Sequence, residues 1–113
     1  MAVTDVHGST LADGTEQTLA DTSAAGTYVF SFDANPMVAG DVVELRLYEM
    51  VLTSGTRRVA YYARYDGAQP ADDQIKISVP ISTALTDSGA VRATMKQTKG
   101  TNHTYAWNVK KFA

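Results

Sequence analysis

Asp41-Val-Val-Glu-Leu-Arg-Leu-Tyr-Glu-Met-Val51 is the stretch whose reading decides the fold. Val43, Leu45, Leu47 and Val51 fall on one side of an extended chain, and Glu44, Arg46 and Tyr48 on the other. Successive strand side chains point to opposite faces, so the pattern is that of a strand with one buried and one wet face. A helix would gather Val42, Leu45 and Glu49 with Arg46 and Met50 beside them, a poorer stripe.

The same period runs through the rest of the chain. Upstream, Tyr28, Phe30 and Phe32 share a face in Thr27–Asp33 before Asn35-Pro36 breaks the run. Downstream, Thr53-Ser-Gly-Thr56 reads as the turn of a hairpin with Arg57–Tyr65. There Val59, Tyr61, Ala63 and Tyr65 face one way, and Arg58, Ala60, Tyr62 and Arg64 the other. Gln74–Ile81 alternates most cleanly, with Ile75, Ile77, Val79 and Ile81 expected inside and Gln74, Lys76 and Ser78 outside. Pro80 lacks an N–H and marks an end or an edge. Ala90–Thr98 turns Val91, Ala93 and Met95 inward, Lys99-Gly-Thr-Asn102 reads as a hairpin turn, and His103–Phe112 aligns Tyr105, Trp107 and Val109.

Strands with one wet face imply antiparallel sheets. Seven or eight short strands in this length predict an all-β fold, an antiparallel β-sandwich that is jelly-roll-like. The expected organisation is an N-terminal arm over residues 1–26, with a possible short edge strand at Thr15–Leu19 and one or two weaker strands in all, and a β-sandwich domain over 27–113. Val3, Val6, Leu11 and Leu19 are the arm's only large apolar anchors, for its own domain or for a neighbouring subunit.

The chain has 113 residues and is 44% hydrophobic, enough for one modest core. A net charge of -2 argues against nucleic acid as a partner. With no cysteine there is neither a disulfide framework nor thiolate metal ligation. No apolar run reaches membrane-span length, and Met1–His7 lacks the basic and apolar regions of a secretory signal, so synthesis in a cytoplasm is expected.

Neither His7 nor His103 has a further His or Cys at ligand spacing, and no metal is expected. Asp66, Asp72, Asp73 and Asp87 sit in loops without the alternating ligands of a Ca²⁺ site. There is no Gly-x-Ser-x-Gly turn and no phosphate-cradling glycine loop, so neither an enzyme nor a cofactor is expected. A hydrolase would need a cleft joining His103 to a carboxylate. Trp107 reads either as core or as a carbohydrate platform. Tyr62 stands outward beside Arg58 and Arg64, as an ordinary cross-strand pair or as an interface residue. The candidate protein interface is Arg46, Tyr48, Arg58, Tyr62 and Arg64 on the hairpin, with Leu11 and Leu19 of the arm.

Gly40–Glu49, Thr56–Tyr62, Gln69-Pro-Ala-Asp-Asp73, Ile77-Ser-Val-Pro80 and Met95-Lys-Gln-Thr-Lys-Gly100 before Trp107 together resemble a family of small tailed-phage virion proteins. The resemblance spans about residues 10–112, and its motifs are structural rather than catalytic. It implies a head decoration (cement) protein with a jelly-roll-like fold, made in the host cytoplasm and seated on the outer capsid surface of the virion. Its implied partners are the major capsid protein and itself, as a dimer or trimer, with no membrane involved. The alternative is a carbohydrate-binding β-sandwich module of a virion adhesion apparatus.

Overall fold

The structure, a computed structural model, describes residues 3–112. Nine strands follow one another: β1 (Val3–Leu11), β2 (Gln17–Asp21), β3 (Gly26–Asp33), β4 (Val42–Met50), β5 (Arg57–Asp66), β6 (Ile75–Ile77), β7 (Ile81–Thr83), β8 (Val91–Lys99) and β9 (Thr104–Phe112). They form a five-stranded sheet, β1-β9-β3-β6 with β7 also beside β3, and a four-stranded sheet, β2-β8-β4-β5. Every pairing is antiparallel.

The pairings are nested: β1 with β9, β2 with β8, β3 with β7 and β6, and β4 with β5. That is one long hairpin, closed by the β4–β5 turn and folded over into two layers, which is jelly-roll topology. Between the layers lie Phe30, Phe32, Val43, Leu47, Val91, Met95 and Tyr105, all fully buried. The Phe32 and Tyr105 rings meet with centroids 5.0 Å apart.

The first 26 residues, expected as a partly ordered arm with one or two weaker strands, supply one strand to each sheet, β1 and β2. Edge pairing runs through the backbone, so β1 forms with few apolar side chains. Met1, Ala2 and Ala113, the outermost residues of the expected arm and domain, lie outside the described residues.

Six side-chain assignments differ from the alternation: Ile75, Ile77, Val79 and Val51, expected inside, are exposed, and Lys76 and Ser78, expected outside, are buried. Ile75 and Ile77 are 53% and 60% exposed while Lys76 is 6% exposed, the reverse of expectation. Register is the cause: Lys76 pairs with Phe32, so it shares the inward face, and Ile75 and Ile77 go outward with Asp33 and Ser31. Lys76 is accommodated because its Nζ reaches the Asp73 carbonyl at 2.6 Å and carboxylate at 3.1 Å, and lies 4.8 Å from the Tyr65 ring centroid. Val79 is exposed as well, whereas Ile81 is buried as expected. The run splits at Ser78-Val-Pro80, where the Ser78 hydroxyl accepts the Phe30 N–H at 2.9 Å and the Ser78 N–H donates to the Phe30 carbonyl at 2.8 Å. Val51 lies beyond the end of β4 in the exposed hairpin loop. Finally, Lys99–Asn102 is not a hairpin turn, because β8 and β9 belong to different sheets and the segment carries the chain between them.

Candidate functional site

The outward face of the β2-β8-β4-β5 sheet gathers most of the polar residues singled out above. On β4, Val43, Leu45 and Leu47 are buried and Glu44, Arg46 and Tyr48 point away from the core. Opposite them on β5 stand Arg64, across from Glu44, and Tyr62, across from Arg46. On the other flank β8 places Lys96, Thr94 and Arg92 beside Glu44, Arg46 and Tyr48. β2 adds Thr18 next to Thr94 and Asp21 next to Arg92.

These groups are paired before any partner arrives. Glu44 accepts Arg46 Nη2 at 3.0 Å through one oxygen and the Tyr62 hydroxyl at 3.1 Å through the other. The Arg46 guanidinium lies 5.0 Å from the Tyr62 ring centroid, a cation–π contact. Arg92 grips Asp21 through two bonds of 2.5 and 3.0 Å, and Arg64 Nε meets Asp66 at 2.9 Å. Glu16, just before β2, accepts the Thr94 hydroxyl at 2.7 Å and the Tyr48 hydroxyl on the same oxygen. Burial alone raises the Glu16 carboxyl, but the Tyr48 and Thr94 bonds, with the charges of Arg46 and Lys96, bring it below the usual carboxylate range. Burial and then the Glu16 bond push the Tyr48 hydroxyl up, so it stays protonated as a donor.

Beside this network lies an open depression of about 610 Å³ lined by Glu16, Tyr48, Met50, Arg57, Arg92 and the Ser54–Thr56 loop. Its lining is mainly polar and charged. The face holds its arginines and tyrosines in fixed, mutually bonded positions.

The expected interface residues divide accordingly. Arg46, Tyr48, Tyr62 and Arg64 come together. Arg58 leaves the set because a β-bulge opposite Leu47/Tyr48 makes Ala60 supernumerary. Val59 then pairs with Tyr48, and Arg58 moves to the parity of Glu49. Leu19 packs against the core, and Leu11 is exposed at the end of β1 in the other sheet. Glu16, Asp21, Arg92, Thr94 and Lys96 belong to the face but were not singled out in the sequence. The outward parity of Arg92, Thr94 and Lys96 was readable, whereas the register shift between Thr18 and Ala20 that turns Asp21 outward, and the adjacency of these strands to β4, are not local facts.

Elsewhere, the Trp107 ring packs over Gly8 and donates to the Thr10 hydroxyl at 2.9 Å, partly buried against the core. His103 Nε2 lies 2.8 Å from Asp41 Oδ2, within ion-pair reach but off the hydrogen-bond axis. Asp41, 1% exposed, also accepts the N–H groups of Val38 and Thr101 at 2.9 and 3.2 Å, so the pair fastens two loops. Among the described residues no group of three or more His, Cys, Asp or Glu converges as metal ligands do. Comparison with protein-family models, curated proteins and solved structures finds no match.

Proposed function

We propose that this chain is a head decoration protein of a tailed phage, binding the outer shell through the outward face of β2-β8-β4-β5 and stabilising the assembled head. The observation that carries the proposal is the prepaired Arg46–Tyr62–Glu44 cluster at the centre of that face. Arginine and tyrosine dominate energetically important interface positions, and groups held in place before binding lose little freedom on docking. The jelly roll recurs in viral capsid and lectin domains, an analogy that favours a structural role without establishing one. The partner on this reading is the major capsid protein, and the location is the outside of the virion.

The test is rebinding. Shells stripped of the protein should take up purified chain, and Arg46→Ala or Tyr62→Ala should weaken uptake at least about fivefold, the scale of a 1 kcal/mol contact. No uptake by such shells, together with normal heat resistance of virions lacking the protein, would sink the proposal.

A second reading is carbohydrate binding by an adhesion module. Tyr62 favours it, being 48% exposed beside Glu44 and Arg46, an aromatic face with polar groups around it. Glycan-array binding abolished by Tyr62→Ala would select this reading over the first. The inward packing of Trp107 leaves Tyr62 as its principal candidate platform.

A further inference from the structure

Two open sheets leave four strand edges: β1 and β6/β7 in one, β2 and β5 in the other. An exposed edge offers unpaired backbone groups to other chains, and proteins blunt it with shortness, bulges, charge or proline. Three of these edges are blunted. β2 has five residues and a register shift between Thr18 and Ala20. β6 and β7 have three residues each and are interrupted at Pro80. β5 is bulged and carries Arg57, Arg58 and Arg64. β1 is neither short, bulged nor broken by proline: it runs nine residues in unbroken register with β9, without Lys or Arg, and Asp5 is its one carboxylate.

The direction of its backbone groups follows from its end. The Ala12 N–H donates to the His103 carbonyl at 3.0 Å, so the even-numbered residues bond toward β9. The Leu11 carbonyl points the other way and meets Gln17 Nε2 at 3.0 Å. The N–H and C=O groups of Asp5, His7 and Ser9 therefore point out of the sheet.

We propose that a second copy of this chain covers the edge, its β1 running antiparallel to the first about a two-fold axis through Val6. Because the outward residues are odd-numbered, odd must pair with odd, and the axis must fall on a residue. On His7 or Asp5 it would bring identical titratable side chains together. On Val6 it sets Asp5 opposite His7 of the second copy, twice. The two groups already bond within one chain, His7 Nδ1 to Asp5 Oδ2 at 3.1 Å, so they lie on one face in rotamers suited to each other. Val6, 57% exposed, then faces Val6 of the second copy across the axis. The contact is isologous and closes as a dimer with about eight backbone hydrogen bonds joining the two sheets. This pairing does not depend on what the opposite sheet binds, and its failure would leave the capsid reading standing.

The test uses the intact chain, which has no cysteine of its own. Light scattering should give twice the 12.1 kDa chain mass. Val6→Cys should lock the dimer by a disulfide under mild oxidation, because residues facing each other at a non-hydrogen-bonded pair lie about 4.5 Å apart at Cα. Val3→Cys, which would face Ser9, should not cross-link. His7→Asp puts carboxylates opposite each other and should return the chain to monomer mass with an unchanged β-sheet spectrum. A wild-type monomer or trimer, a dimer that the Val6→Cys thiol cannot lock, cross-linking through Val3→Cys instead, or a His7→Asp variant that stays dimeric would each overturn the proposal.

Discussion

Asp41 shows how one side chain can order two loops. It ends the 38–41 turn, and its carboxylate holds the Thr101 N–H and sits beside His103 on the segment that crosses between sheets. Burial and then the Asp41 charge push the nearby Tyr105 hydroxyl up to about 12, keeping it protonated to donate to Gln97 at 3.0 Å. The backbone of Gly100 presses on Asp41: a Cβ there would lie 1.9 Å from Oδ1 and 2.8 Å from Cα. Gly40 has nearly the same φ, +92° against +93°, with nothing within 4 Å of such a Cβ. Gly40→Ala should therefore cost only the left-handed strain, about 1–2 kcal/mol. Gly100→Ala should cost clearly more in urea denaturation, because Asp41 must also move and is anchored by three groups. Equal losses would show that Asp41 yields freely. Glu16 governs the acid side. Its folded pKa is depressed, so its contribution is present above its unfolded value, about 4.3, and is lost as pH falls through the lower folded value. Glu16→Gln should remove that contribution, and stability measured from pH 6 down to pH 3 should fall less steeply than in the wild type.

Among the elements, β6 and β7 come from one apolar run but meet opposite fates. Ile77 is exposed on β6 and Ile81 is buried on β7, so the same substitution tests the register. Ile81→Ala should cost about 2–5 kcal/mol and Ile77→Ala less than about 1 kcal/mol. Comparably large losses at both positions in chemical denaturation would restore the alternation expected from the sequence, which placed both isoleucines inside. That expectation succeeded wherever one strand is covered along its whole length, as in β3 with Tyr28, Phe30 and Phe32 and in β4 with Val43, Leu45 and Leu47. It failed where pairing rather than hydropathy fixes the face. Lys76 goes inward because Phe32 is its partner, and Arg58 leaves its face because of a bulge that has no signature in Tyr48 or Ala60. The candidate face was legible to the same degree. Arg46, Tyr48, Tyr62 and Arg64 follow from parity across one short hairpin, while Arg92, Thr94 and Glu16 join only through β8 and β2, strands distant in sequence.

For the whole molecule, the nesting of the strands implies an order of assembly. Among the described residues only β4 and β5 are paired across a short connection; pairing β1 with β9 brings together residues about a hundred positions apart. Closing a long loop is entropically unfavourable before contacts repay it, so chains dominated by distant pairings fold slowly, in about milliseconds to seconds. If β4–β5 forms first, β8 can dock on β4 and β3 can follow across the layer, each closing a loop already shortened by the last. β1 on β9 then closes late. Leu47 on β4 and Val109 on β9 are both buried, so truncating either destabilises the protein but should act on different rates. Leu47→Ala should slow folding about tenfold or more, as expected for a residue of the nucleus. Val109→Ala should change folding less than about twofold and appear mainly as faster unfolding. Stopped-flow measurements against denaturant read both limbs. If Val109→Ala slowed folding as much as Leu47→Ala, the two ends of the chain would have met by the transition state, and the jelly roll would not close from its central hairpin outward.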